Sequence, residues 1–184
     1  MIQRKIVKIV NGIKTSDGAG VNLTRIIGSP QLNMVDPFLL LDEFGSDNPD
    51  DYIAGFPDHP HRGFETITYM LNGKWQHKDS FGNEGKLGEG SVQWMTAGRG
   101  IVHSEMPIQT DGLARGFQLW LNLPKPKKMI KPAYQDIHAE QIPIVKKVFG
   151  TVKIISGEYN GIIGPGKSHT AVLIMDIRLN PESE

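Results

Sequence analysis

The chain of 184 residues contains no cysteine. Disulfides and thiolate ligands are thereby excluded, and a metal, if bound, must be held by nitrogen and oxygen. A structural zinc site of the cysteine type is ruled out as well, whereas iron, manganese, nickel and copper accept imidazole and carboxylate. An excess of one charge is also lacking: 20 Lys and Arg stand against 20 Asp and Glu. The totals therefore carry no electrostatic footprint for nucleic acid, and no direct nucleic-acid binding is expected. No apolar run is long enough to span a bilayer, so no membrane partner is expected. The first residues, Met1-Ile2-Gln3-Arg4-Lys5, alternate and do not open a signal-peptide core. A cytoplasmic protein is the expectation. Plentiful instead are 21 Gly and 12 Pro, set between short apolar runs. That pattern predicts many strands and tight turns. The length allows one sizeable domain with a proper core, or one domain plus a fragment.

Two stretches concentrate the chemistry. The first is His59-Pro60-His61-Arg62-Gly63-Phe64-Glu65, and the second is Gly98-Arg99-Gly100-Ile101-Val102-His103-Ser104-Glu105. Residues i and i+2 of a strand point to the same face. His59 and His61 can therefore reach one point in space, and so can His103 and Glu105. If the two strands face each other inside a small barrel, three imidazoles and one carboxylate converge into a metal site with open positions. The bland alternative is a set of surface histidines around a Pro turn, with Glu105 a solvated strand end.

Along the chain, Gln3 to Val10 reads as a first strand. Asn11-Gly12 and Asp17-Gly18 read as turns. Val21, Leu23, Arg25 and Ile27 share one face of a second strand. Phe38 to Leu41 is a short apolar run ended by Asp42-Glu43-Phe44-Gly45, and Ser46 to Asp51 is an acidic loop. A strand from His59 to Leu71 puts His59, His61, Gly63, Glu65, Ile67, Tyr69 and Leu71 on one face, a polar site at one end and apolar walls at the other. Gly63 leaves room on that face. Asn72-Gly73 is a hairpin signal. The return strand carries Trp75, His77 and Asp79, with His77 either near the metal or simply on the outer face. Gly85 to Gly90 reads as a loop and Val92 to Met95 as a strand. Gly98 and Gly100 supply backbone angles that other residues resist. Phe117 to Leu123 alternates with Phe117, Leu119 and Leu121 inward. Pro124 to Lys128 is a linker by composition. Beyond it, Val148 to Ser156 and Ala171 to Leu179 read as strands joined by a Gly-rich loop, and two strands cannot make an independent core.

Taken together, several stretches resemble the pirin family of the cupin superfamily. They are Asp42-Glu43-Phe44-Gly45, Phe56 to Thr66, Lys74 to Ser80, Gly90 to Gly100 and Ile101 to Glu105. The resemblance implies an all-β cupin barrel of the double-stranded β-helix or jelly-roll type over residues 1–125. Residues 126–184 would form a linker and the first strands of a second cupin barrel. Pirins normally continue through that second barrel, whose absence would leave apolar surface uncovered and favour association. The family's metal ligands fall on His59, His61, His103 and Glu105. In many cupins a glutamate placed like Glu65 also binds metal; pirins are thought to leave it out, so Glu65 is expected one layer behind the ligands.

The same resemblance implies Fe(II), with Ni, Mn, Cu or Zn as other divalent choices. It also implies chemistry like that of quercetin 2,3-dioxygenases, which open aromatic flavonol substrates with oxygen. Glu105 would then take the proton of the substrate 3-hydroxyl, and Ile67, Tyr69, Leu71 and Phe117 would form the walls. The alternative from the same family is a non-catalytic, iron-dependent redox sensor. Its protein partner would be a transcription factor or a metabolic enzyme, with a nuclear location if the chain is of the animal type.

Overall fold

The computed structural model describes residues 5–182. The chain is nearly all β, as the spacing of short apolar runs and turn residues requires. Its first six strands are β1 (Ile13–Asp17), β2 (Val21–Ile27), β3 (Phe38–Ser46), β4 (Phe56–His61), β5 (Phe64–Asn72) and β6 (Trp75–Asp79). Then follow β7 (Glu84–Leu87), β8 (Val92–Thr96), β9 (Ile101–Pro107), β10 (Ala114–Asn122) and β11 (Ala133–Ile137). The remainder are β12 (Ile144–Lys147), β13 (Gly150–Ser156), β14 (Glu158–Tyr159), β15 (Ile162–Ile163) and β16 (Ile174–Leu179).

Two antiparallel sheets form the barrel. One has seven strands in the order β1-β2-β3-β10-β5-β8-β11, and the other has four in the order β4-β9-β6-β7. A three-stranded sheet, β12-β13-β16, and the small β14-β15 hairpin make up the rest.

Several expectations need correction. Residues 5–12 form no strand, and Gln3 and Arg4 lie outside the described residues. The alternation there has no face to bury: Ile6, Val7 and Ile9 are all exposed. The strand starting at Phe38 does not end at Asp42 but runs on to Ser46, because β10 pairs with it from Phe38 to Ser46 and β2 from Leu41 to Phe44. The stretch from Gly85 to Gly90 is not all loop, since β7 pairs with β6. The linker lysines are followed by β11, a short polar strand that adds an edge to the seven-stranded sheet by pairing with β8.

The correction that matters most is at Arg62-Gly63. The stretch from His59 to Leu71 is not one strand. Gly63 sits at a φ of 82°, a left-handed conformation that side chains resist, and the chain turns a corner there. The histidines before it pair with β9 in one sheet, and the residues after it pair with β8 and β10 in the other. Gly63 is needed for its backbone angle and not for room, because an added Cβ would meet only Lys128, at 3.8 Å.

Once the corner is turned, β5 is buried on both faces. Its register alternates two environments. Ile67 and Tyr69 join Val92, Trp94, Leu121 and Ile155 in an apolar cluster, with Phe117, Leu119, Val172 and Ile174 packed against it. This cluster fills the space between the seven-stranded sheet and the later strands. Trp94 is fully buried there, and truncating it to Ala would cost about 3–5 kcal/mol. Thr68 and Met70 face the other way, into the barrel. Met70 packs there with Phe44, Trp75, Val21 and Leu23.

Candidate metal centre

His59 and His103 are direct partners across β4 and β9, and His61 stands opposite Ile101. Opposite partners share a face, so all three imidazoles enter the barrel from one wall. Their ring centroids are 4.5–5.0 Å apart. One ligand-capable atom from each lies within 4.8 Å of the others. The local sequence makes this geometry: Pro60 between the histidines adds no side-chain donor, and Gly98 and Gly100 bend the chain into β9 with positive φ. A side chain at position 98 would strike the Ile130 carbonyl oxygen.

The donor set suits a cation. His59 Nδ1 lies 2.8 Å from the Pro57 carbonyl oxygen and donates to it. That fixes the tautomer and leaves Nε2 as a lone pair turned inward, 3.0 Å from His61 Nε2. Both nitrogens of His103 are buried without a hydrogen-bond partner among the described residues. Buried polar atoms are rarely left so, and an ion among the three rings would satisfy one of the two. The rings of His61 and His103 are also neutral. Burial, reinforced by His103 and His59, pushes His61 down to about 3. Burial, reinforced by His59 and His77, does the same to His103. Neutral imidazole is the form that ligates metal.

Glu105 is brought to the same cavity but is not grouped with the three rings. Its carboxylate is held from the opposite sheet. Thr68 Oγ1 lies 2.8 Å from Glu105 Oε1 and 2.6 Å from Gln118 Oε1, while Gln118 Nε2 lies 3.2 Å from Glu105 Oε2. Sequence reasoning missed Thr68 and Gln118. Their only signal is that they are polar positions inside strands whose neighbours are apolar.

The cavity beside the histidines has a volume of about 520 Å³. Its walls include Leu23, Leu40, Phe44, Phe56, Trp75 and Trp120. None of the expected walls, Ile67, Tyr69, Leu71 and Phe117, is among them, because the corner at Gly63 turns that parity of β5 to the other side of the sheet, and Phe117 of β10 lies opposite Tyr69 on the same side. Trp120 stands edge-on to His61, with centroids 5.2 Å apart, and packs on Phe64 at 4.7 Å. Asp42 is a buried carboxylate in the same wall. Burial raises its pKa, against the two-pronged hydrogen bond from Arg25 at 2.9 and 2.7 Å. Arg25 also reaches Asp17 at 2.9 Å, tying the β1-β2 hairpin to the rim.

Glu65 does not lie behind the ligands. It faces the far side of the seven-stranded sheet, fully buried, and accepts hydrogen bonds from Thr96 at 2.7 Å and Ser168 at 2.6 Å. His77 is buried inside the barrel opposite Glu105 and not on an outer face, and His169 is exposed and remote from the three rings.

Comparison with known proteins places this geometry. A family model described as Pirin matches residues 20–121. A pirin-like protein of Caulobacter vibrioides is 55% identical over 179 residues, covering 96% of this chain and 65% of that protein. A Pseudomonas aeruginosa protein provisionally named a quercetin 2,3-dioxygenase is 53% identical over 158 residues, covering 85% of this chain and 55% of its own length. The chain thus spans less than two thirds of these curated relatives. Among solved structures, a quercetin 2,3-dioxygenase from Acinetobacter baumannii superposes with a TM-score of 0.82 at 34% identity, covering 91% of this chain and 61% of that one. A bacterial pirin from Escherichia coli in complex with nickel(II) gives 0.59 at 25% identity, covering 68% and 53%.

Proposed function

The chain belongs to the pirin family, and on that premise we propose that it is a mononuclear metal-dependent dioxygenase that opens the ring of a flavonol. The observation that carries the reading is the set of three convergent imidazoles on the wall of an apolar cavity large enough for a small aromatic molecule. The residues that would hold the metal are His59, His61 and His103, with Glu105 as the fourth member. Fe(II) is the first choice and Ni, Mn, Cu or Zn the others. When bound, the metal supplies Lewis acidity and one-electron chemistry for substrate oxygen and dioxygen. The reading sets this chemistry in the cytoplasm, with a small-molecule substrate.

The protein's own contribution is legible in its hydrogens. Thr68 has one hydroxyl proton and two oxygens within reach, on Glu105 and Gln118. If it donates to Gln118, then Glu105 Oε1 faces the Thr68 oxygen with no proton between them. If it donates to Glu105, the Gln118 amide must turn its nitrogen toward Thr68, and its carbonyl then faces Glu105 Oε2. The orientation of the amide does not change the count. Three close contacts share two protons, and a proton on Glu105 completes the ring in either arrangement. Glu105 is thus a prepared acceptor for the proton of the flavonol 3-hydroxyl, with Thr68 and Gln118 holding it in position.

The aromatic side chains orient the substrate and exclude water. Trp120 and Phe56 offer flat faces to a planar substrate, and Leu23, Leu40 and Phe44 keep the cavity dry. Oxygen then adds to the activated ring, which opens with loss of carbon monoxide.

The test is oxygen uptake with quercetin by protein loaded anaerobically with Fe(II), beside His61→Ala. Carbon monoxide in proportion to quercetin consumed, absent in the variant, is the expected result. Bound iron without oxygen uptake would remove the flavonol reading for this chain.

A further inference from the structure

The barrel interior has a second opening that the metal chemistry does not use. It lies at the other end of the β6-β9 wall, between β7 and the edge strand β11, with a volume of about 770 Å³. It shares no lining residue with the cavity of the three histidines.

His77 forms part of its floor. The ring is 2% exposed, and neither nitrogen has a hydrogen-bond partner among the described residues. The nearest polar atom of Asp136 is 3.8 Å from Nε2, too far for a hydrogen bond. Beside it, the Tyr134 ring stacks on His77 with centroids 4.8 Å apart and an interplanar angle of 30°. The Tyr134 hydroxyl is likewise buried and makes no hydrogen bond of ordinary geometry, with the Asp79 carboxylate as the acceptor turned toward it. Burial and the charges of Asp79, Glu105 and Asp136 push its pKa above the usual range, so it remains a donor. Buried polar groups are rarely left without a partner. Gly85, the cross-strand partner of His77, makes room for the His77 ring: a Cβ there would collide with His77 Nε2 and push the ring from its place in the floor.

The rim gives the sign of the ligand. Its acids are already engaged: Glu84 meets Lys78 at 3.4 Å and accepts from Gln76, and Asp136 accepts from Gln93 at 3.0 Å. Its cations are not: Arg99 and Lys131 form no ion pair among the described residues. Ile101, Pro132 and the Tyr134 ring supply apolar surface between rim and floor.

We propose that this cavity is a second ligand site, for a small aryl carboxylate whose carboxylate is drawn by Arg99 and Lys131 while its polar substituent reaches the His77 and Tyr134 donors. Two spare cations at the mouth, two spare donors at the floor and apolar surface between them fit a flat organic anion.

The probe is 4-hydroxybenzoate, with 4-hydroxybenzamide as its neutral isostere. Each is titrated into the metal-free chain labelled with 13C at His and Tyr and followed by NMR. Saturable shifts at His77 and Tyr134, with the amide binding about tenfold more weakly, are expected. Gly85→Ala should abolish the shifts. Should that variant fail to fold, the double variant Arg99→Gln, Lys131→Gln decides, with an expected weakening of about tenfold or more. His61→Ala should leave them intact. Absence of saturable shifts, equal binding of the amide, or shifts that vanish in His61→Ala would each overturn the proposal. The measurement involves neither metal nor oxygen, so its failure is separate from failure of the dioxygenase reading.

Discussion

The two ends of the barrel interior hold the same kind of side chain in different company. At one end His59, His61 and His103 lie with ligand-capable atoms within 4.8 Å of one another. At the other, His77 is as deeply buried and as poorly hydrogen-bonded as His103, yet it stands with a tyrosine and a carboxylate instead of with other imidazoles. Burial is common to both, so burial does not make a metal site. Convergence does, and it comes from strand register: His59 faces His103, whereas His77 faces Glu105.

The largest expected effect tests that distinction directly. His103→Ala should weaken divalent metal binding by more than about a hundredfold, while His77→Ala changes it by less than about threefold, as read by calorimetry with Fe(II) under anaerobic conditions or with Ni(II). Equal losses in both variants would break the comparison.

A smaller effect separates holding the metal from holding the proton. Gln118→Leu and Thr68→Val should each lower quercetin turnover by roughly ten- to a hundredfold with metal content and KM little changed, because they disturb the position of Glu105 and leave the imidazoles in place. Loss of metal along with turnover would mean that the pair supports the cation instead.

Acidification sharpens the comparison further. His61 and His103 have folded-state values of about 3 against 6.5 for a free imidazole. The unfolded chain therefore binds more protons between these values, and stability of the metal-free protein should fall as pH drops from about 6.5 toward 3. In urea unfolding at pH 7 and pH 5, His61→Ala should show a shallower loss than the parent. A parallel loss would assign the dependence to other groups.

The smallest effect lies on the far face of the sheet. Ser168→Ala should cost about 1–3 kcal/mol, since it removes one of the two hydroxyls that satisfy the buried Glu65. It should leave metal binding untouched. Coupled loss of both would mean that the far face supports the metal-bearing wall.

How much of this could be read from the chain follows from what sets each feature. That His59 and His61 share a face, as do His103 and Glu105, was legible because period two survives any placement of the strands. So were the positive-φ glycines at 98 and 100, and the shared face of Val21, Leu23 and Arg25, which Ile27 leaves because a bulge after Arg25 sets it opposite Leu41. The walls were not. Alternation runs unbroken from His59 to Leu71, and the corner at Gly63 leaves no mark on it. Because β5 is buried on both faces, hydrophobicity could not say which parity of residues lines the cavity. β11, with the sequence Ala-Tyr-Gln-Asp-Ile, carries too little apolar signal to declare itself, and only pairing with β8 makes it a strand. Thr68 and Gln118 read as ordinary polar residues, because their meaning is a contact with Glu105 on a different sheet.

That contact has a consequence for how the protein could be remodelled. Thr68 and Gln118 belong to the seven-stranded sheet and Glu105 to the four-stranded one. The tie between them spans the interior and acts as a spacer whose length is fixed by hydrogen bonds and not by the bulk of the surrounding side chains. Trimming the aromatic walls would enlarge the chamber without letting the sheets part. Variants selected to admit bulkier molecules are therefore expected to accumulate changes first at positions 68 and 118, giving up rate in exchange for width.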